Sequence, residues 1–142
     1  MIFSKLRLNP PLLFEKQMFF AQNFQTFVID FKVHDLITVY FSYLLQVYIG
    51  CLAETNNSIE LYKIAHRLIE TNCEDWLGWY CAGIYYLTIR NYPKSAELLE
   101  KSLTKRPTSG LAYMALGHAF SHEREHDQAF NAYLMAEKEM RG

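Results

Sequence analysis

The stretch Trp79–Pro107, WYCAGIYYLTIRNYPKSAELLEKSLTKRP, is echoed 34 residues later by Tyr113–Arg141, YMALGHAFSHEREHDQAFNAYLMAEKEMR. At that offset Trp79, Gly83 and Tyr86 meet Tyr113, Gly117 and Phe120. Ser95, Leu99, Ser102 and Pro107 meet Ala129, Tyr133, Ala136 and Arg141. Aromatic answers aromatic, glycine answers glycine, and small answers small. The first three residues of each copy fall at i, i+4 and i+7, which sets them on one helical face. A glycine inside a helix costs about 1 kcal/mol relative to alanine, a cost that the close approach of a second helix offsets. Ser95 and Ser102, then Ala129 and Ala136, supply small residues for that approach from the other side. Pro107 stops the second helix. Each copy therefore reads as a helix–turn–helix, and a period of this length means units that stack on one another.

The period and residue order are those of the tetratricopeptide repeat (TPR), whose units bury one face against their neighbours and offer another to a partner. The pattern extends backward less cleanly. Gly50 lies 33 residues before Gly83, so the copy around it reads as one residue short in its inter-helix turn, with helices over 38–54 and 58–71. Further upstream, Leu12–Gln22 and Phe24–Val33, broken at Asn23, read as a divergent helix pair. The expected fold is all-α, a TPR solenoid of about three to four stacked helix pairs. It forms a single domain over 1–142, with a divergent pair at 11–37, a short repeat at 38–74, and full repeats at 75–108 and 109–142.

Composition agrees with an elongated helical domain, since 51% hydrophobic and 15% aromatic residues leave ample side chains to bury. Pro10, Pro11, Pro93 and Pro107 all sit at helix boundaries or first turns. The net charge of −1 carries no nucleic-acid footprint. Lys101, Lys105 and Arg106 group at a helix C-terminus, where they complement its dipole. Cys51, Cys73 and Cys81 form no CxxC pair and leave an odd count, which points to a reducing compartment. The segment 36–53, LITVYFSYLLQVYIGCLA, holds 18 residues without a formal charge and so reaches the length of a membrane span. Thr38, Ser42 and Gln46 give it a polar stripe, however, and a solenoid interior itself needs helices that are apolar all round. No membrane association is expected. The N-terminal MIFSKLRLNPPLLF has neither a secretory h-region nor a small-residue cleavage site, so the expected location is the nucleus or cytoplasm.

Chemistry finds little foothold. His118, His122 and His126 recur at intervals of four, a spacing that can hold a metal, yet His126 falls beyond a turn and no HExxH order is present. A groove-lining or capping role fits these histidines better. Asp75 and Asp127 stand near helix starts, where carboxylates stabilise N-termini. No nucleophile elbow, phosphate loop or paired Cys/His set appears, so no enzyme activity, cofactor or metal is expected. What remains is a binding surface. The concave face of a TPR stack is lined by first-helix residues one, five, eight and nine after the bulky aromatic. Those are Tyr80, Ile84, Leu87 and Thr88 in one unit, and Met114, His118, Ser121 and His122 in the next. The short copy contributes Val47, Cys51, Glu54 and Thr55. Chaperone-binding TPRs clamp a carboxylate with Lys, Arg and Asn at such positions. The tyrosine, isoleucine and methionine here suit an extended or helical segment with apolar anchors.

Some fillers of the permissive positions are more particular. They include IGCLAE at 49–54 with the asparagines after it, ELYKIAHRLIE at 60–70, Ile84-Tyr85-Tyr86 before Leu87, and Glu125-His126-Asp127-Gln128-Ala129. These resemble the anaphase-promoting complex (cyclosome) TPR subunit of the cell-division-cycle sixteen type. FFAQNFQTFVIDFKVHD at 19–35 resembles the preceding helix pair of that family more weakly. The resemblance implies a non-catalytic scaffold of a multisubunit ubiquitin ligase acting in mitotic progression. It also implies binding to sister TPR subunits and to a small companion subunit in the groove, and possible homodimers through N-terminal repeats. The repeat pattern by itself also allows a free-standing TPR adaptor for a peptide or helix of another partner. Family members carry many more repeats, and the last helix here is followed by no polar cap. A C-terminal face with Tyr133, Leu134 and Met140 is therefore expected to be partner-covered or prone to aggregation.

Overall fold

The computed structural model describes residues 34–142. The helix pair expected within 11–33 lies outside the described residues. The chain divides by its contacts into two units, Met1–Tyr40 and Phe41–Gly142. The second unit holds the repeats.

Six helices follow one another over the described residues: α1 (His34–Glu54), α2 (Ser58–Thr71), α3 (Trp76–Thr88), α4 (Tyr92–Lys105), α5 (Gly110–His122) and α6 (His126–Arg141). None of them is long and apolar enough to cross a membrane. Local chemistry accounts for their ends. Asn57, Asn91 and Ser109 each accept a hydrogen bond from the backbone N–H three residues on, which satisfies a donor that the first turn leaves orphaned. Pro93 sits in the first turn of α4, where its missing N–H costs nothing. Asp75 occupies the N-cap of α3 without its side chain making a cap bond, so its contribution there is charge near the helix dipole alone.

The turns fix the register. Asn56, Arg90 and Arg124 carry φ of 53°, 63° and 65°. Each is followed by a residue whose N–H closes a six-residue loop: Asn57 to Leu52 O at 2.9 Å, Asn91 to Tyr86 O at 2.9 Å, and Glu125 to Phe120 O at 2.9 Å. This is one left-handed helix stop made three times, at positions 34 apart. The first unit is thus a full repeat rather than one residue short, and its counterpart to Gly83 is Ile49 instead of Gly50. A non-glycine residue at such a φ is strained. Arg124→Gly is accordingly expected to raise the unfolding free energy by up to about 1 kcal/mol. In thermal melts Arg124→Ala, which keeps the Cβ, should show no such gain.

The core runs through α1–α6 as one cluster, with Ile49, Leu61, Cys81, Leu99, Ala112 and Ala119 wholly buried. The two glycines of the full echo have the expected reason. A Cβ on Gly83 would meet Leu99 Cγ at 2.6 Å, and one on Gly117 would meet the Tyr133 ring at 2.6 Å. The hydroxyls of Ser95 and Ser102 are buried and donate to Gly83 O at 2.8 Å and Trp76 O at 2.9 Å, stitching α4 onto α3. The basic group at the end of α4 does more than face the helix dipole. Lys101 Nζ lies 3.6 Å from the centre of the Trp79 ring, Arg106 lies 4.9 Å over Trp76, and Lys105 Nζ pairs with Glu74 at 2.6 Å. That ammonium holds the Glu74 carboxyl below its ordinary range. The pairing clamps the connection before α3 to the end of α4.

Candidate partner-binding face

The first helices of the units, α1, α3 and α5, carry every residue expected on the concave face except Thr55, which stands just past the end of α1. The helical lengths and the common register bring three rows of such residues into correspondence, but burial sorts them. Tyr80 and Ile84 are only 6% and 7% exposed and belong to the core cluster, so they do not offer their side chains to a partner. The cause is position in the stack, since α3 is packed by α2, α4 and α5 together. Leu87, Thr88 and Met114 are half-buried, while Val47, Cys51, Glu54, His118, Ser121 and His122 are exposed. Thr88 donates its hydroxyl to Ile84 O at 2.9 Å, so that hydroxyl is already engaged within the helix.

The corrected register changes which α1 residues share a row with the later units. The equivalents of Tyr80, Ile84 and Thr88 are Gln46, Gly50 and Glu54, so Val47 and Cys51 stand one residue out of line with them. Gly50 therefore is not a packing glycine: a Cβ there would meet nothing within 4 Å. A signal for this was present in the sequence, because Asn57 and Asn91 are the same residue 34 apart and both cap a second helix. Alignment on glycine alone overlooks it.

Two of the three histidines take an aromatic partner. His118 Nδ1 and the Tyr133 hydroxyl are 3.0 Å apart, and the same ring lies over Gly117. Partial burial pushes the Tyr133 phenol up from its ordinary range. His122 stacks on Tyr92 with ring centres 4.6 Å apart and planes 6° apart, tying α5 to α4. Among the described residues no group of His, Cys, Asp and Glu is placed to hold a metal ion.

At the outer face of α5 and α6 an open concavity of about 500 Å³ is lined by Met114, His118, Tyr133, Ala136 and Met140, with Glu137 and Arg141 at its edge. Two expected groove residues, Met114 and His118, thus share a wall with α6. Of the residues expected on the C-terminal face, Leu134 and Met140 are exposed, whereas Tyr133 is half-buried by its contacts with Gly117 and His118. One apolar position of the earlier junctions becomes charged here. Where Ile69 and Leu103 stand in the first two units, the third has Glu137, ion-paired with Arg141.

No protein-family model matches the chain. Over 99 residues, 69% of its length, it is 38% identical to the human "Cell division cycle protein 16 homolog", of which the match is 16%. It is 34% identical over 103 residues to "Anaphase-promoting complex subunit cut9" of Schizosaccharomyces pombe, covering 70% of this chain and 15% of that one. It is 32% identical over 95 residues to "Anaphase-promoting complex subunit CDC16" of Saccharomyces cerevisiae, covering 67% and 11%. Among solved structures, a chain of the APC/C hetero-tetramer Cut9–Hcn1 superposes with a TM-score of 0.64 at 31% identity, over 78% of this chain and 20% of that one. The chain spans 16% of the length of the human relative and similarly small shares of the others.

Proposed function

Because this chain is a TPR relative of the cell division cycle protein 16 subunits of the anaphase-promoting complex, we propose that it is a non-catalytic scaffold of that complex. In this reading it acts in mitotic progression, in the nucleus or cytoplasm. It binds sister TPR subunits. A small companion subunit occupies its concave face, and a homodimer is a further assembly open to it. The observation that carries the reading is the agreement of two likenesses, one in sequence and one in three dimensions, on the same kind of subunit. The exposed, mostly neutral residues Gly50, Glu54, His118, Ser121 and His122, beside half-buried Gln46, Leu87, Thr88 and Met114, support a protein ligand over a carboxylate clamp or nucleic acid.

The test is purification of the tagged full chain from its own cells, with identification of what comes with it. Recovery of other subunits of the complex is the expected result. The exposed groove side chains owe their placement to this chain alone, which leaves a free-standing peptide adaptor as the second reading. Recovery of chaperones without any subunit of the complex decides for that adaptor.

A further inference from the structure

Gly50 differs in kind from the other glycines inside helices. Gly83 and Gly117 are pressed against side chains, whereas Gly50 is exposed with open space where a Cβ would be. Nothing that packs against it requires glycine, and glycine weakens a helix interior. The register sets it in the row of Ile84 and His118. One turn further on stands Glu54, at the C-terminal end of α1, where an acid opposes the helix dipole and no basic residue of the last turn offsets it. Glu54 makes no ion pair among the described residues. Beside these two, Tyr43 is 64% exposed and Val47 51%. Two choices that disfavour the free helix therefore lie together on one exposed apolar face.

We propose that this face of α1 docks a helical partner segment that sets an aliphatic or aromatic anchor over Gly50 and a lysine or arginine against Glu54. The bare backbone at Gly50 admits the anchor closer than any side chain would. From Val39 to Ala53 the helix has no formal charge, so Glu54 alone sets the charge preference of the face, and complementarity selects a basic residue. The inference rests on the reading of the concave face as a protein-binding surface and adds the chemistry of the ligand.

Two synthetic helical peptides test it, both with leucines four residues apart and differing only four residues beyond, where one has lysine and the other glutamate. Binding to the full chain is read by fluorescence anisotropy at low salt. The lysine peptide is expected to bind at least tenfold tighter than the glutamate peptide, and Glu54→Lys to reverse that order. Gly50→Ala is expected to melt no lower than the wild type yet bind the lysine peptide several-fold more weakly. Equal binding of the two peptides overturns the inference. So does absence of binding by both, survival of the lysine preference in Glu54→Lys, or unchanged affinity in Gly50→Ala. Recovery of complex subunits by the wild-type chain is a separate readout. Subunits recovered without peptide discrimination remove this inference alone, and discrimination without subunits removes the complex and keeps the groove.

Discussion

Leu99→Ala is expected to lower the unfolding free energy by about 2–5 kcal/mol, the range for emptying a fully buried leucine site. Leu99 is 0% exposed and its Cγ and Cδ2 would stand 2.6 and 2.7 Å from a Cβ on Gly83. Gly83→Ala by itself should also destabilise, because overpacking costs about 1–3 kcal/mol against roughly 1 kcal/mol gained in helix propensity. In the Leu99→Ala background that cost disappears. The new methyl enters the space the leucine has left, the propensity gain remains, and Gly83→Ala becomes neutral or stabilising. Urea unfolding of the four proteins measures the reversal as a coupling of about 1–3 kcal/mol. Equal effects of Gly83→Ala in both backgrounds would show that the glycine is not there for the leucine.

The protein contains its own version of this exchange. In the common register the positions of Gly83 and Leu99 are held in the first unit by Ile49 and Ala65, 0% and 5% exposed. In the third they are held by Gly117 and Tyr133. Volume moves across the helix pair while its sum stays within what one interface can hold, as dense packing requires. This is why the first unit was only half legible. Its helices could be placed from their apolar runs and from Asn56-Asn57, and the observed α2 is the segment those signals mark. Its register could not be read from glycine, because the glycine there had moved to the large side of the exchange and Gly50 stood one residue away as a decoy. A backbone stop was the better guide, yet left-handed φ at arginine leaves no mark in the sequence as it would at glycine.

The binding face was legible in the same partial way. Spacing from Trp79 and Tyr113 correctly picks out first-helix residues, but spacing does not know how many neighbours a helix has. Tyr80 and Ile84 satisfy the spacing and are buried, because α3 has helices on three sides. His118 and His122 satisfy it and stay exposed, because α5 has no following unit over them among the described residues. The pairing of each histidine with a tyrosine of a different second helix is a tertiary fact. Nothing in the sequence distinguishes Tyr92 from the other tyrosines, and the repeat marks Tyr133 only as the counterpart of Leu99, not as a partner of His118.

Raising the pH from 9 to 12 is expected to remove about 3 kcal/mol of stability through Cys81 alone. Its thiol is wholly buried, lies 3.6 Å from Leu61 O, and is pushed by burial from 9.0 up to about 12. The unfolded chain loses that proton near pH 9 and the folded protein holds it until about pH 12. The contribution is therefore intact below pH 9 and is lost as pH climbs toward 12. Tyr80 acts in the same direction over a narrower window, since burial first and a charge on Cys81 second push its phenol from 10.0 up to about 12. Cys81→Ala isolates the thiol. It is expected to be less stable than wild type at pH 8, where it has only lost packing, and to decline less steeply between pH 9 and 11, so that the two stability curves converge. Parallel curves would mean that the thiol does not titrate on unfolding. A thiol reagent at pH 8 gives the independent measure, because reaction of a thiol needs access as well as ionisation. Cys51 and Cys73 are exposed and should react at once, whereas Cys81 should react only at the rate at which α2 and α3 separate.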